Sequence, residues 1–115
     1  MSSEIRRFKI RRKRTFELIR NGLKWLEIRL ERGFFAHIRE NTVIELYNGC
    51  ENVRVIVDDI KRLNSIDELI NDRLIRIGST PEVNDKDIKM YYRQFYSEGA
   101  LRRNKVIVLR IKRVS

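Results

Sequence analysis

Between Arg6 and Arg12 apolar and charged residues alternate, with Phe8 and Ile10 facing one way and Arg7, Lys9 and Arg11 the other. Period-two alternation predicts a half-buried strand, here with a cationic outer face. Thr15 to Asn21 carries Phe16, Leu18 and Ile19 and is followed by Gly22, the pattern of a short helix with a glycine stop. From Lys24 to Glu31 the alternation returns, with Leu26, Ile28 and Leu30 on one face and Trp25, Glu27 and Arg29 on the other. Gly33 to Glu40 reads as a turn or a helical turn. Thr42 to Tyr47 and Val53 to Ile60 read as strands joined at Asn48-Gly49, with Cys50 and Glu51 lengthening the loop or making a bulge.

Ser65 with Glu68 three residues later is a capping box and predicts a helix to about Asn71. Leu74 to Gly78 reads as irregular or briefly extended, and Pro81 marks a loop. Asn84 or Asp85 can cap a helix to about Ser97, in which Ile88, Tyr91, Tyr92 and Phe95 have helical spacing. Gly99 ends it, and Val106 to Ile111 is the last strand. The order β-α-β-β-β-α-α-β predicts an α+β fold: a mixed or largely antiparallel sheet curled into a small barrel, with short helices outside. The basic first and last strands are expected to lie close together. No repeat, low-complexity stretch or Gly/Ser linker interrupts residues 1–115, which read as one domain.

Composition narrows the class. An apolar content of 42% is that of a folded chain. No apolar run approaches the roughly 18–20 residues that span a bilayer, and the basic start lacks the apolar stretch of a signal peptide. One cysteine, Cys50, and one histidine, His37, make neither a disulfide nor a zinc cluster. The expectation is a cytoplasmic protein without metal or cofactor. Asp58-Asp59 is a poor metal pair because neighbours on a strand point to opposite faces. Asp67-Glu68 sits where acidic residues suit a helix start.

Charge changes the picture most. The formal net charge is +10, and it is segregated: +8 over residues 1–39, −4 over 40–99 and +6 over 100–115. A charge-rich surface of thermophile type would raise both signs together, whereas separation of one sign suits phosphate neutralisation. An acidic protein partner would fit the same charge.

Within this frame stands Gly22-Leu23-Lys24-Trp25-Leu26-Glu27-Ile28-Arg29, the pattern G-x-K-x-x-E-x-R. Gly22 stops the helix and lets the chain swing into the strand. Glu27 and Arg29 then project from one strand face, and Lys24 at the strand mouth can turn towards the same cleft. Such a trio can contact a phosphate or a polarised base, or it can be a surface ion-pair ladder. Trp25 is either a core residue or a platform for base stacking.

The chain resembles the ASCH domain of the PUA-like superfamily. The likeness rests on this motif following directly on the short Phe16-to-Gly22 helix. It extends through the hairpin and the Ser65-to-Ile70 segment to the late Tyr-rich helix and basic terminal strand. The resemblance implies a β-barrel with flanking helices and a cleft beside the motif suited to RNA or a nucleobase-like ligand. Some members look like RNA binders and some resemble ribonucleases, while one bacterial branch removes acyl groups from a modified cytidine. In that branch the motif lysine is catalytic, a threonine stands where this chain has Glu27, and a later glutamate assists, for which Glu82 is a candidate. This chain also has Glu40-Asn41 where the family often has Gly-Asp.

The resulting expectation is an RNA-binding module, with RNA favoured over DNA and no membrane. Its candidate contacts are Arg7, Lys9, Arg11, Arg12, Lys13, Lys24, Trp25, Arg29, Tyr96, Arg102, Arg103 and Lys105. The alternative is a metal-independent hydrolase of the same fold, a ribonuclease or a modified-nucleoside amidohydrolase, with Lys24 and Glu27 catalytic. No basic recognition helix of a helix-turn-helix is evident.

Overall fold

A computed structural model of the chain describes residues 5–64, 67–68, 71–79, 83–93, 99 and 103–114. Five strands form one sheet: β1 (Arg6–Lys9), β2 (Leu26–Leu30), β3 (Val43–Asn48), β4 (Glu51–Leu63) and β5 (Val106–Val114). α-Helices are formed by α1 (Lys13–Arg20), α2 (Arg73–Ser79) and α3 (Ile88–Arg93). Asp67, Glu68, Gly99 and Arg103 are also helical, so Gly99 does not stop a helix as expected. Short 3₁₀ turns cover Gly33–Phe35 and Asp85–Asp87.

The strand order is β1-β3-β4-β5-β2, so β1 and β2 are the two edges of a curled half-barrel. β1 runs parallel to β3, from Arg6 opposite Ile44 to Lys9 opposite Tyr47. The other pairings are antiparallel. The expected barrel is thus open along one seam. Nor are the first and last strands neighbours, because β3 and β4 lie between β1 and β5. The expected pairing of the two basic strands is therefore not seen.

The sheet is buried on both sides where β5 runs. Ile107, Leu109 and Ile111 face inward with Phe16, Ile19, Phe35, Ile44, Leu46, Val53, Val55 and Val57. Val106 and Val108 face outward with Leu26, Ile28, Leu30, Leu63, Ile75, Ile88 and Tyr92. The alternating residues of β2 therefore divide as predicted, except that their apolar face meets α2 and α3 and their polar face meets the barrel interior. α1 has no acidic residue in its first turn and no side-chain cap. Lys13 and Arg14 at its start oppose the helix dipole, so packing of Phe16, Leu18 and Ile19 must hold it.

Other boundaries differ for local reasons. The hairpin loop is Gly49-Cys50, since Asn48 pairs with Glu51. Gly49 takes φ +59 at the first loop position, as a type II′ turn requires. Asn48 instead donates from Nδ2 to the carbonyl of Ile10 at 2.8 Å, tying the hairpin to the end of β1. β4 runs on to Leu63 through a bulge at Asp58, which falls between the paired Val57 and Asp59. The Asp58 carboxylate accepts from Arg110 at 2.8 Å and lies 3.4 Å from Lys112. Partial desolvation pushes its carboxyl upward, but the Arg110 hydrogen bond and charge, with Lys112, outweigh this and hold it below the usual range.

Residues 74–78, expected to be irregular or extended, belong to α2. Asp72 Oδ1 accepts from the Ile75 backbone N–H at 3.1 Å and starts the helix. Asn84 precedes the 3₁₀ turn that leads into α3. The expected continuation to Ser97, with Phe95 and Tyr96, lies outside the described residues, as do Ser65 and Arg102.

α2 presses on the start of β2. The Trp25 backbone N–H donates to Gly78 O at 3.0 Å, and a Cβ at Gly78 would lie 2.8 Å from Leu26 Cδ1 and from two carbons of the Trp25 ring. Gly78→Ala gains about 1 kcal/mol of helix propensity. Overpacking against a rigid indole costs about 1–3 kcal/mol. Net destabilisation is expected, read as a lowered urea midpoint with unchanged m.

Candidate functional site

The open seam between β1 and β2 forms a cleft of about 300 Å³, lined by Phe8, Lys9, Arg11, Arg12, Thr15, Lys24, Glu27, Ile28, Arg29, Tyr91 and Tyr92. Its size is at the lower end of small-ligand sites. Four segments meet there: β1 and its exit, the first turn of α1, the motif strand β2, and α3. The three charged residues of the motif border this one space.

Arg29 and Glu27 project inward from β2. Arg29 Nε lies 3.2 Å from Glu27 Oε1. Its guanidinium carbon stands 4.8 Å from the Phe8 ring centroid and 5.3 Å from that of Phe35. Phe8, Phe34 and Phe35 are mutually packed with centroids 4.9–5.0 Å apart. Side chains therefore close the seam where no backbone ladder does, with cation–π contact between the two edge strands.

Lys24 is only 6% exposed. Its Nζ donates to Leu26 O at 2.8 Å and Ser79 O at 2.6 Å, and stands 4.0 Å from Glu27 Oε2. Gly22, at φ +77, makes the turn that sends Lys24 inward. Lys24 joins α2 to β2 as well as bordering the cleft, which the sequence did not indicate. Glu27 Oε2 has no hydrogen-bond partner among the described residues.

The remaining candidates divide. Lys9, Arg11 and Arg12 line the exposed rim. Arg7 is ion-paired with Glu45 at 2.6 Å and stands over the Tyr47 ring at 4.5 Å, outside the cleft. Trp25 does not line the cleft, and instead packs with the outer core against α2. Lys13, Arg103 and Lys105 are exposed and lie outside the lining. Tyr96, Arg102 and Glu82 fall outside the described residues.

Phe8, Thr15, Ile28, Tyr91 and Tyr92 are the cleft residues that sequence reasoning passed over. Tyr91 and Tyr92 meet edge to face at 5.4 Å, and buried Tyr92 reaches Ser79 Oγ at 3.5 Å. Their helical spacing marked them as core, which Tyr92 is. Tyr91 beside it is half-buried, which the spacing did not show.

The charge map also changes in space. Arg7 and Arg54 pair with Glu45, Arg20 with Glu51, Arg62 with Glu31, and Arg110 and Lys112 with Asp58. Glu45, Glu51 and Asp58 of the acidic middle thus partly neutralise Arg7, Arg20, Arg110 and Lys112 of the basic ends. Lys9 and Arg11 have no carboxylate partner among the described residues. Among the described residues Glu27 is the only acidic one of the cleft lining. Among the described residues no His, Cys, Asp and Glu cluster could hold a metal ion, and no helix is long and apolar enough to cross a membrane.

No protein-family model and no curated protein matches the chain. Among solved structures, two similar ones are these. The crystal structure of hypothetical protein PH0355 is 23% identical, with 96% of this chain and 100% of that one covered at a TM-score of 0.82. The solution structure of protein PF0455 from Pyrococcus furiosus is 23% identical, with 97% and 99% covered at a TM-score of 0.79. At that identity the likeness establishes the fold, a mixed α+β half-barrel shared over nearly the whole of each chain.

Proposed function

We propose that this protein binds single-stranded nucleic acid, RNA in preference to DNA, through the cleft between β1 and β2. The observation that carries the reading is one cleft that combines rim cations Lys9, Arg11 and Arg12 with the aromatic residues Phe8 and Tyr91. Cations at a rim follow phosphates, and aromatic or guanidinium faces within accept an unstacked base. A cleft of about 300 Å³ admits a base splayed from a single strand and not a duplex. Arg12 at the N-cap of α1 and Thr15 in its first turn bring the start of that helix to the rim. The Thr15 hydroxyl at that turn suits a ribose 2′-hydroxyl, which both donates and accepts. The G-x-K-x-x-E-x-R motif and the resemblance to ASCH domains support the same reading. The hydrolase alternative asks Lys24 to offer a lone pair to substrate, whereas its Nζ donates to two carbonyls beneath the cleft.

Binding of a fluorescent single-stranded RNA is expected to weaken steeply with salt, with a logarithmic slope of about −0.7 per neutralised phosphate. Replacing Lys9, Arg11 and Arg12 together by alanine should cut affinity at least about tenfold near physiological salt and reduce the slope by about 2, as three lost phosphate contacts require. Lys61→Ala, on an exposed residue outside the cleft, should change neither. Affinity indifferent to salt, or to the triple substitution, would sink the proposal.

A further inference from the structure

We infer that Glu27 is a base-reading residue, and that the cleft selects unpaired bases carrying an exocyclic amino group over uracil or thymine. This deepens the nucleic-acid reading above and rests on it.

Among the described residues Glu27 is the one acidic group in a cleft whose other charged residues are cationic. Its side chain is 13% exposed, and among the described residues a single hydrogen bond, from Arg29 Nε to Oε1, engages it. Oε2 has no hydrogen-bond partner among the described residues, and Lys24 Nζ is 4.0 Å from it, beyond hydrogen-bonding distance. An ionised carboxylate offers about four acceptor sites and no donor. An acceptor left unmade in a nearly dry place is costly, and a ligand that supplies a donor relieves it. The terminal torsion of a glutamate is broad, so a modest rotation turns Oε2 towards the cleft without moving the strand.

The neighbouring charges are already directed elsewhere. Lys24 donates to the carbonyls of Leu26 and Ser79, and the Arg29 guanidinium lies between Glu27, Phe8 and Phe35. A phosphate at this depth would meet the Glu27 carboxylate, so phosphates belong to the rim and a neutral ring belongs within. A ring held there shows Glu27 one polar edge. Cytosine and adenine present an N–H₂ donor on that edge, to which a carboxylate is a natural acceptor. Uracil and thymine place a carbonyl at the corresponding position, and its lone pairs face those of Glu27.

The test compares three RNA hexamers by fluorescence anisotropy at fixed salt: cytidine, uridine, and cytidine doubly methylated on its exocyclic nitrogen. The cytidine strand should bind about tenfold tighter than the uridine strand, the scale of a specific base contact. Dimethylation removes the donors while keeping the ring, and should lower affinity to the uridine level. Glu27→Gln should bring the cytidine-to-uridine ratio to about twofold or less, because an amide can donate to a carbonyl as well as accept from an amine. Equal wild-type affinity for all three strands, with rim dependence kept, would overturn the inference and leave the binding function standing. Persistence of the preference in a folded Glu27→Gln protein would overturn it too, since another group would then be the reader. Absence of binding to any strand would overturn the proposed function and this inference together.

Discussion

Lys24→Met is expected to cost about 3–5 kcal/mol of folding stability, the range for removing one partner of a buried ionic pair. Methionine keeps the unbranched stem, so the loss isolates the ammonium rather than the packing. Without it, the carbonyls of Leu26 and Ser79 lose the Lys24 donor, and Glu27 loses the cation 4.0 Å away. Those carbonyls lie on β2 and at the end of α2, so the damage falls on the contact between helix and sheet. Urea unfolding should show a large fall in midpoint. Adding Glu27→Gln should recover part of the loss, because the uncompensated charge is then gone, and the double-mutant cycle reads the coupling directly. Additive losses would mean that the 4.0 Å pair contributes nothing.

Phe16→Ala should cost a similar amount, about 3–5 kcal/mol, as large-to-small changes at sealed aromatic positions do. Phe16 is 0% exposed and belongs to the barrel core. It carries more than its own burial, because α1 lacks a side-chain cap and opens with basic residues. Docking is what holds that helix. Arg11, Arg12 and Thr15 of the cleft lie just before or within its first turn. Under native conditions the variant should therefore lose RNA affinity as well as stability, whereas a truncation in the outer core, Ile75→Ala, should lower stability while leaving affinity nearly intact. Calorimetry and anisotropy on the two variants separate these effects.

The sequence disclosed whatever rests on local periodicity. Leu26, Ile28 and Leu30 alternate without interruption, so β2 and its two faces were legible. So was the convergence of Lys24, Glu27 and Arg29 on one cleft, since Gly22 and a period of two place them. β4 was cut short because the bulge at Asp58 breaks the alternation that carries it to Leu63. α2 was missed because Leu74, Ile75 and Ile77 are as apt for a strand, and Gly78 argued against a helix; Asp72 was the overlooked start signal. The sheet order depends on long-range pairing that periodicity does not encode, so the parallel β1–β3 ladder and the open seam were invisible. Trp25 was open to two readings for the same reason: its neighbour Gly78 is distant in sequence.

That seam bears on how a ligand gets in. Among the described residues β1 pairs with β3 alone, over four residues, and parallel ladders are slightly weaker per residue than antiparallel ones. Its far side leans on β2 through Phe8 and Arg29 rather than through backbone hydrogen bonds. Local opening costs far less than global unfolding where few bonds must break. Prising β1 away severs one short ladder and leaves β3, β4, β5 and β2 joined as they were. On the proposed function, a strand too bulky for the resting gap would enter at this edge by parting one short ladder and the contact of Phe8 with the barrel core, the rest of the sheet staying joined.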